Sequence, residues 1–235
     1  MEKAFLTGQA QDHLELAVVI TGDIVHSSRL VSQHRRQLYQ VMKAVASEVH
    51  EFFRGAVPLM PDIFSGDSWQ ILVSSPETAL DVALFYRAGI RAGMAPLRVD
   101  TRVSMGLGSV EFMPEERVSQ GDGEAYRLSG RALKEIKGHH RMAFVFPKSL
   151  DCNLLRAIKT IVYLCDTVVV RWTPRQSLAI KGAIRGLSQE EIAASWPGGR
   201  ISQQAVAQHL SRAGWYGIEK GLSFFRKAMN KIHTI

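Results

Sequence analysis

"VPLMPDIFSGDSWQILVS", residues 57–74, holds two short apolar segments on either side of Ser65-Gly66-Asp67-Ser68. A glycine in a brief polar break between strand-like segments marks a hairpin turn. Its neighbours decide the architecture. Before it, "LAVVITGDI" (16–24) is a β-branched run bounded by Gly22 and Asp23, a buried strand. The helix that follows places Leu38, Val41, Met42, Val45, Val49, Phe52 and Phe53 on one face. After the hairpin, "SPETALDVALFYRAGIRAG" (75–93) opens on Ser75-Pro76-Glu77, a helix start, and turns Ala79, Val82, Ala83, Tyr86 and Ile90 inward. "LRVDTRVSMGLGSVEF" (97–112) reads as a long strand, 113–123 as a glycine-bearing loop, 124–137 as a helix and "MAFVF" (142–146) as a final strand.

Strand–helix–strand–strand–helix–strand is the split βαβ, ferredoxin-like order. Right-handed crossover sets the second strand parallel to the first, with the third returning between them. The hairpin tip then lies where the first strand ends, and Asp23 and Asp67 meet at one sheet edge. Two carboxylates there repel each other unless a cation intervenes. Oxygen ligands of this kind suit Mg²⁺, which completes its shell with water and phosphate. Ser27 and Ser28, ahead of the next helix, offer backbone N–H groups to phosphate oxygens. Arg127, Arg131 and Lys134 make a cationic stripe along the helix at 124–137. The bland alternatives are a simple turn aspartate and a solvated basic face.

The set "GDI" (22–24), "SGDS" (65–68), "SMGLGSVEF" (104–112) and "GEAYRLSGRAL" (123–133) resembles the palm domain of class III nucleotidyl cyclases. It is more similar still to the cyclase-like domain of the SatD family, which shares the "GDIxxS" opening. The likeness covers residues 16–146. It implies that Asp23 and Asp67 are metal aspartates, with the Ile24 carbonyl as a third ligand to Mg²⁺ or Mn²⁺ carrying a nucleoside triphosphate. It also implies that Arg131 stands at the transition-state arginine, and that the site is built between two chains of a homodimer. The chain departs from the pattern in three places. Arg127 replaces an asparagine, Ile63 replaces the lysine that selects adenine, and Gln120 falls on the other base-reading position. Nucleotide binding is therefore expected ahead of ordinary cyclic-nucleotide synthesis.

Residues 171–235 carry ten Lys/Arg against three Asp/Glu, while residues 1–170 balance to zero. That asymmetry points to a polyanion-binding tail. "LDCNLLRAIKTIVYLCDTVVVR" (150–171) reads as a connecting helix with an apolar face of Leu154, Leu155, Ile158, Ile161, Val162 and Cys165. Thr173-Pro174 then opens a helix that Gly186 closes. Ser188 and Glu191 form a capping box, "WPGGR" (196–200) breaks the chain, and "ISQQAVAQHLSRAG" (201–214) is a second capped helix. Two short helices about a glycine turn describe a helix-turn-helix. The phrase "TPRQ…GLSQEEIA" resembles DNA-binding domains of LuxR-type regulators and sigma-factor region 4. That resemblance sets Ser202, Gln203, Gln204 and Gln208 toward bases, and Arg200, Arg212, Lys181 and Arg185 toward phosphates. Trp215, Ile218, Leu222, Phe225, Met229 and Ile232 form a short heptad seam, to pack on the tail or to pair with a second copy.

The composition, 46% hydrophobic and 22% charged, is that of an ordinary globular chain. No apolar run approaches the roughly 18–20 residues of a membrane span. The N-terminus lacks a signal-peptide core, and its first dozen residues read as a loose leader. Cys152 and Cys165 read as two buried thiols in a reducing cytoplasm. The expected fold is α+β: a ferredoxin-like, cyclase/palm-like domain (14–148), a connecting helix (149–171) and an all-α helix-turn-helix domain (172–235). The expected function is nucleotide-responsive control of transcription on double-stranded DNA. The alternatives are a nucleotidyl cyclase or related nucleotidyltransferase with a localising tail, and a palm kept as a dimerisation scaffold.

Overall fold

The computed structural model describes residues 14–113 and 115–233, so the leader lies outside the described residues. In chain order the elements are β1 (Leu14–Ile24), α1 (Ser32–Phe52), β2 (Asp62–Phe64), β3 (Ser68–Val73), α2 (Ala79–Gly93), β4 (Thr101–Val110), α3 (Glu124–Glu135) and β5 (Met142–Val145). Five further helices follow: α4 (Asn153–Val169), α5 (Pro174–Ile184), α6 (Gln189–Ala194), α7 (Gln203–Arg212) and α8 (Trp215–His233). The molecule is thus mixed α+β. No helix among the described residues is long and apolar enough to cross a membrane.

The sheet runs β2-β3-β1-β4-β5. β3 is antiparallel to both β1 and β2, β4 is antiparallel to β1, and β5 joins parallel to β4. The hairpin strand therefore lies between β1 and β2, as the split βαβ order requires. β1 has no alternation because both its faces are covered. Val18 and Ile20 look into the core beneath α1 and α2, while Ala17 and Val19 pack with Val110, Ala125 and Tyr126 under α3. Gly106 makes the second contact possible. A Cβ there would stand 2.5 Å from the Ala125 carbonyl oxygen and 2.6 Å from the Ser129 nitrogen, so only glycine lets α3 lie this close to β4.

Several expectations change on burial. Phe52, read as inward-facing, is exposed at the end of α1, its ring stacked on Phe85 with centroids 6.0 Å apart. Cys152, read as buried, is exposed because it lies at the N-cap of α4, outside the apolar stripe. Cys165 is buried, and burial, with Asp166 beside it, pushes its thiol up to about 11. The seam of α8 is occupied within the chain: Ile218, Leu222, Phe225 and Met229 are buried, with α8 packed on α4 and on the turn before α2. It offers no free face for a second copy.

The tail shares its core with the palm. α2 is buried at every position from Ala79 to Ile90, because the sheet and α1 cover one side and α5 the other. One apolar cluster runs continuously from Val18 to Met229.

Inside it sits Arg87, fully buried. Its Nε and Nη2 donate to the two carboxylate oxygens of Asp100 at 2.9 and 2.8 Å, and its Nη1 donates to Asp166 at 2.6 Å. Burial alone would lower the guanidinium, yet Asp100 and Asp166 hold it above its ordinary value. Burial likewise acts to raise Asp100, but the charge and hydrogen bonds of Arg87 hold it below the usual carboxylate range. Removing one member of such a group strands a buried charge, which costs about 3–5 kcal/mol. Arg87→Met should lower the unfolding free energy from urea titration by about that amount, and adding Asp100→Asn with Asp166→Asn should recover much of it. Asp100 titrates lower folded than unfolded, so its contribution is whole above about pH 4 and is lost as the pH falls through the folded value. Urea midpoints of wild type measured from pH 7 down to pH 3 check the sign.

Candidate functional site

The end of β1 is held from both sides. Asp23 pairs with Ser68 of β3 and with Arg102 of β4. One residue on, the Ile24 N–H donates to the Asp67 carbonyl at 3.1 Å, and the Val25 N–H donates to the Asp100 carbonyl at 2.9 Å. The hairpin tip is thus docked on the strand end, with Asp23, Ile24 and Asp67 together at one sheet edge.

Two close approaches fix this edge. A Cβ on Gly22 would fall 2.2 Å from the Trp69 indole and 2.6 Å from the Arg102 carbonyl, so glycine is required where the indole crosses β1. The indole N–H donates to Thr101 Oγ1 at 2.9 Å, and that hydroxyl lies 2.7 Å from the Asp23 carbonyl, to which it donates. Backbone strain gathers at the same place. Among the described residues the non-glycine positions with positive φ are His26 (58°) and Ser65 (51°). Each stands within three residues of one of the aspartates. Left-handed geometry at such residues costs of order 1–3 kcal/mol and is characteristic of functional sites.

The carboxylates have separate partners. Asp23 takes a two-pronged contact from Arg102, Nε to Oδ1 at 2.8 Å with Nη2 on the other oxygen. Asp67 accepts from the Ser27 hydroxyl. The hydrogen bond that Arg102 donates to Asp23 holds its guanidinium above the ordinary value against partial burial, and the charges of Asp23 and Asp67 add to it. Arg102 is a site residue that sequence reasoning missed, as are Arg35 and Arg36 at a neighbouring cleft. Its place opposite Asp23 follows from the β1–β4 register, which no local pattern reveals.

Ser27 and Ser28 form a single 3₁₀ turn with Arg29, and α1 begins only at Ser32. The serines therefore do not cap α1, which corrects the expectation of a helix N-terminus directly behind them. A cleft of about 500 Å³ opens beside Asp67, bordered by Ser27, Ser28, Arg35, Arg36 and Tyr39. Arg35 steadies the turn by donating to the carbonyls of Leu30 (2.8 Å) and Ser28 (3.1 Å). The cations bordering this cleft thus come from α1.

The α3 stripe runs from the far end of β1 back toward the site, and the Ile136 carbonyl just past its last turn accepts from Arg102 at 3.4 Å. Arg127 pairs with Glu111 at 2.7 Å and Asp122 at 3.0 Å. Glu111 follows Val110, which pairs with Leu14, so Arg127 stands at the opposite end of β1 from Asp23. Arg131 and Lys134 are exposed on α3 and make no ion pair among the described residues. The positions matched to base reading stand on adjoining segments. Asp62, beside Ile63, accepts from Arg117 and Ser119, next to Gln120.

In the tail, Ser202 caps α7 by accepting from the Ala205 N–H at 3.1 Å. Gln203, Gln204, Gln208 and Arg212 are exposed on that helix, and Arg200 pairs with Glu190. Lys181 and Arg185 correct the expectation of phosphate contacts. Lys181 is bound to Glu48 of α1, with its ammonium 5.5 Å from the centroid of the Phe85 ring, and Arg185 lies over Phe52. Both fasten the tail to the palm.

No group of three or more His, Cys, Asp or Glu converges among the described residues. A Mg²⁺ site needs fewer: one or two carboxylates, with water and phosphate oxygens filling the rest. Asp23, Asp67 and the Ile24 carbonyl are donors of that kind, and Asp23 already carries the two-pronged contact from Arg102.

Comparison with known proteins adds little. No protein-family model matches the chain, and no curated protein matches it. Solved structures with some likeness include the guanylyl cyclase Cya2, at 15% identity and a TM-score of 0.40 over 57% of this chain and 75% of that one. Another is the monomeric guanylyl cyclase domain of the RhoGC fusion protein from the aquatic fungus Blastocladiella emersonii. It matches at 15% identity and a TM-score of 0.36 over 56% of this chain and 81% of that one. Likenesses this distant say nothing of what this chain does.

Gly22→Ala tests how the edge is built. Overpacking against the indole should cost about 1–3 kcal/mol or more, read as a lower urea midpoint. Trp69→Leu in the same background should relieve part of that loss, since the clash is with the ring.

Proposed function

We propose that the palm half binds a divalent cation and a nucleoside triphosphate at the Asp23–Asp67 edge, as a nucleotidyl cyclase-like site. The observation that carries this reading is the docking of the hairpin on β1, which brings two aspartates to one strand end beside an arginine-bordered cleft. Asp23, Asp67 and the Ile24 carbonyl would hold Mg²⁺ or Mn²⁺. When bound, the cation neutralises phosphate charge and orients the phosphate oxygens. The chain's own groups do the rest. Ser27 fixes Asp67, Arg102 offsets the charge on Asp23, and the Ser27–Ser28 turn with Arg35 and Arg36 receives phosphates. Arg131, with Arg127 and Lys134, would reach the site of a second copy, which makes the functional unit a homodimer.

Asp67→Asn should weaken Mn²⁺-dependent nucleoside triphosphate binding at least about tenfold without lowering the melting temperature. Arg102→Gln should strengthen Mn²⁺ binding alone, because the same carboxylates lose a competing cation. Calorimetric titration with Mn²⁺, then nucleotide, measures both. Unchanged metal-dependent binding in Asp67→Asn would overturn the reading. Cyclic product in the same mixtures would assign turnover, and binding without product a sensor.

A second reading concerns the tail. Val206 and Leu210 seat α7 against its neighbours, leaving Ser202, Gln203, Gln204, Gln208 and Arg212 outward. That is how a helix-turn-helix presents a recognition helix to the major groove of double-stranded DNA. Gln204→Ala should reduce sequence preference more than total affinity, and Arg212→Ala should weaken all sequences alike. Salt-dependent DNA titration checks this, and no retention of duplex at low salt would sink it.

A further inference from the structure

The segment after β1 has a second side. Ser27 and Ser28 border the cleft by Asp67, while His26 and Arg29 border another cavity, of about 560 Å³. This cavity forms where that segment meets the approach to β4 (97–100), Arg141 before β5, and the α4–α5 junction (170–174). Five arginines line it: Arg29, Arg91, Arg98, Arg141 and Arg171. The one acid in its wall, Asp100, is already engaged by Arg87 at 2.8 Å and Arg91 at 2.7 Å.

Beyond the Arg91–Asp100 pair, the charge there is uncompensated. Arg29, Arg98 and Arg171 are exposed and make no ion pair among the described residues. Arg141 donates its Nη1 only to the carbonyls of Gly138 and His140. Arg91 donates to the Val170 and Trp172 carbonyls, while its Nε is buried with no acceptor. Burial, opposed by Asp100 and reinforced by Arg87 and Arg98, holds the Arg91 guanidinium below its ordinary value. The rim also carries Thr173 and Pro174, the start of α5, whose dipole adds positive potential.

We infer that this cavity is a binding site for a compact chain of phosphates. Guanidinium forks match phosphate oxygens two at a time, and the free forks of Arg29, Arg98 and Arg171, with the remaining donors of Arg141 beside them, call for an anion with several charges. The volume lies in the range of small-ligand sites. Inorganic polyphosphate and the tail of a nucleotide offer the same chemistry. The site uses none of the residues assigned to the cation or nucleotide at the Asp23–Asp67 edge.

The test is calorimetric titration of the full chain with tripolyphosphate, pyrophosphate and orthophosphate, at low salt with EDTA to silence any metal-dependent site. Affinity should rise with phosphate number. Arg98→Ala with Arg171→Ala should weaken tripolyphosphate at least about tenfold, with unchanged circular dichroism, since neither side chain holds a partner in the fold. Asp67→Asn should bind tripolyphosphate as wild type does. A nucleoside triphosphate arm separates the sources: tighter nucleotide binding assigns the site to nucleotides, tighter tripolyphosphate binding to inorganic chains, and both support it. The inference fails if tripolyphosphate gives no heat and no thermal shift, or if the double variant binds like wild type. It also fails if Arg35→Ala with Arg36→Ala abolishes binding instead.

Discussion

A guanidinium sealed in an apolar core constrains everything around it. Arg87 can be buried only if both its carboxylate partners are delivered to it, one from the start of β4 and one from α4. Asp100 and Asp166 therefore fix where those two elements lie relative to α2. The same Asp100 accepts the Thr101 N–H at 2.9 Å, and its carbonyl accepts the Val25 N–H. Thr101 then reaches the Asp23 carbonyl, and Arg102 its carboxylate. A short chain of polar contacts thus joins the buried charge to the site edge. Buried ion groups contribute little net stability compared with apolar packing, and this one ties α2, α4 and the start of β4 to one another.

The palm was legible because its signals are local. Gly66 between apolar segments gives the hairpin, and the β-branched run ending at Asp23 gives β1. The order of elements then requires the hairpin strand to lie between β1 and β2. What could not be read was pairing. Arg102, Arg87 and Lys181 look alike in sequence, each a base in an amphipathic or apolar stretch. One faces a site carboxylate, one is sealed in the core, and one clamps two halves together. Periodicity tells which face a residue occupies but not which residue from a distant segment meets it there.

The net charge of the tail illustrates the same limit. Read as a sum it suggests a broad basic surface. In the fold, Lys181, Arg185, Arg200 and Arg226 are engaged by Glu48, the Phe52 ring, Glu190 and Asp81 respectively. Burial holds the Asp81 carboxyl above its usual range, even though Arg226 opposes it across the palm–tail contact. Several charges counted as available to a polyanion thus balance acids within the chain. A group of arginines without ion pairs among the described residues, Arg29, Arg98, Arg141 and Arg171, lies instead around the cavity where palm and tail meet.

The burial of α2 on every side bears on how the chain can be divided. A helix covered by the sheet on one flank and by α5 on the other belongs to neither half alone. A cut near residue 150 would leave the palm with a continuous apolar strip facing water, and the tail without the surface on which α5 rests. Motifs that look transplantable in one dimension are, in three, halves of a single cooperative folding unit.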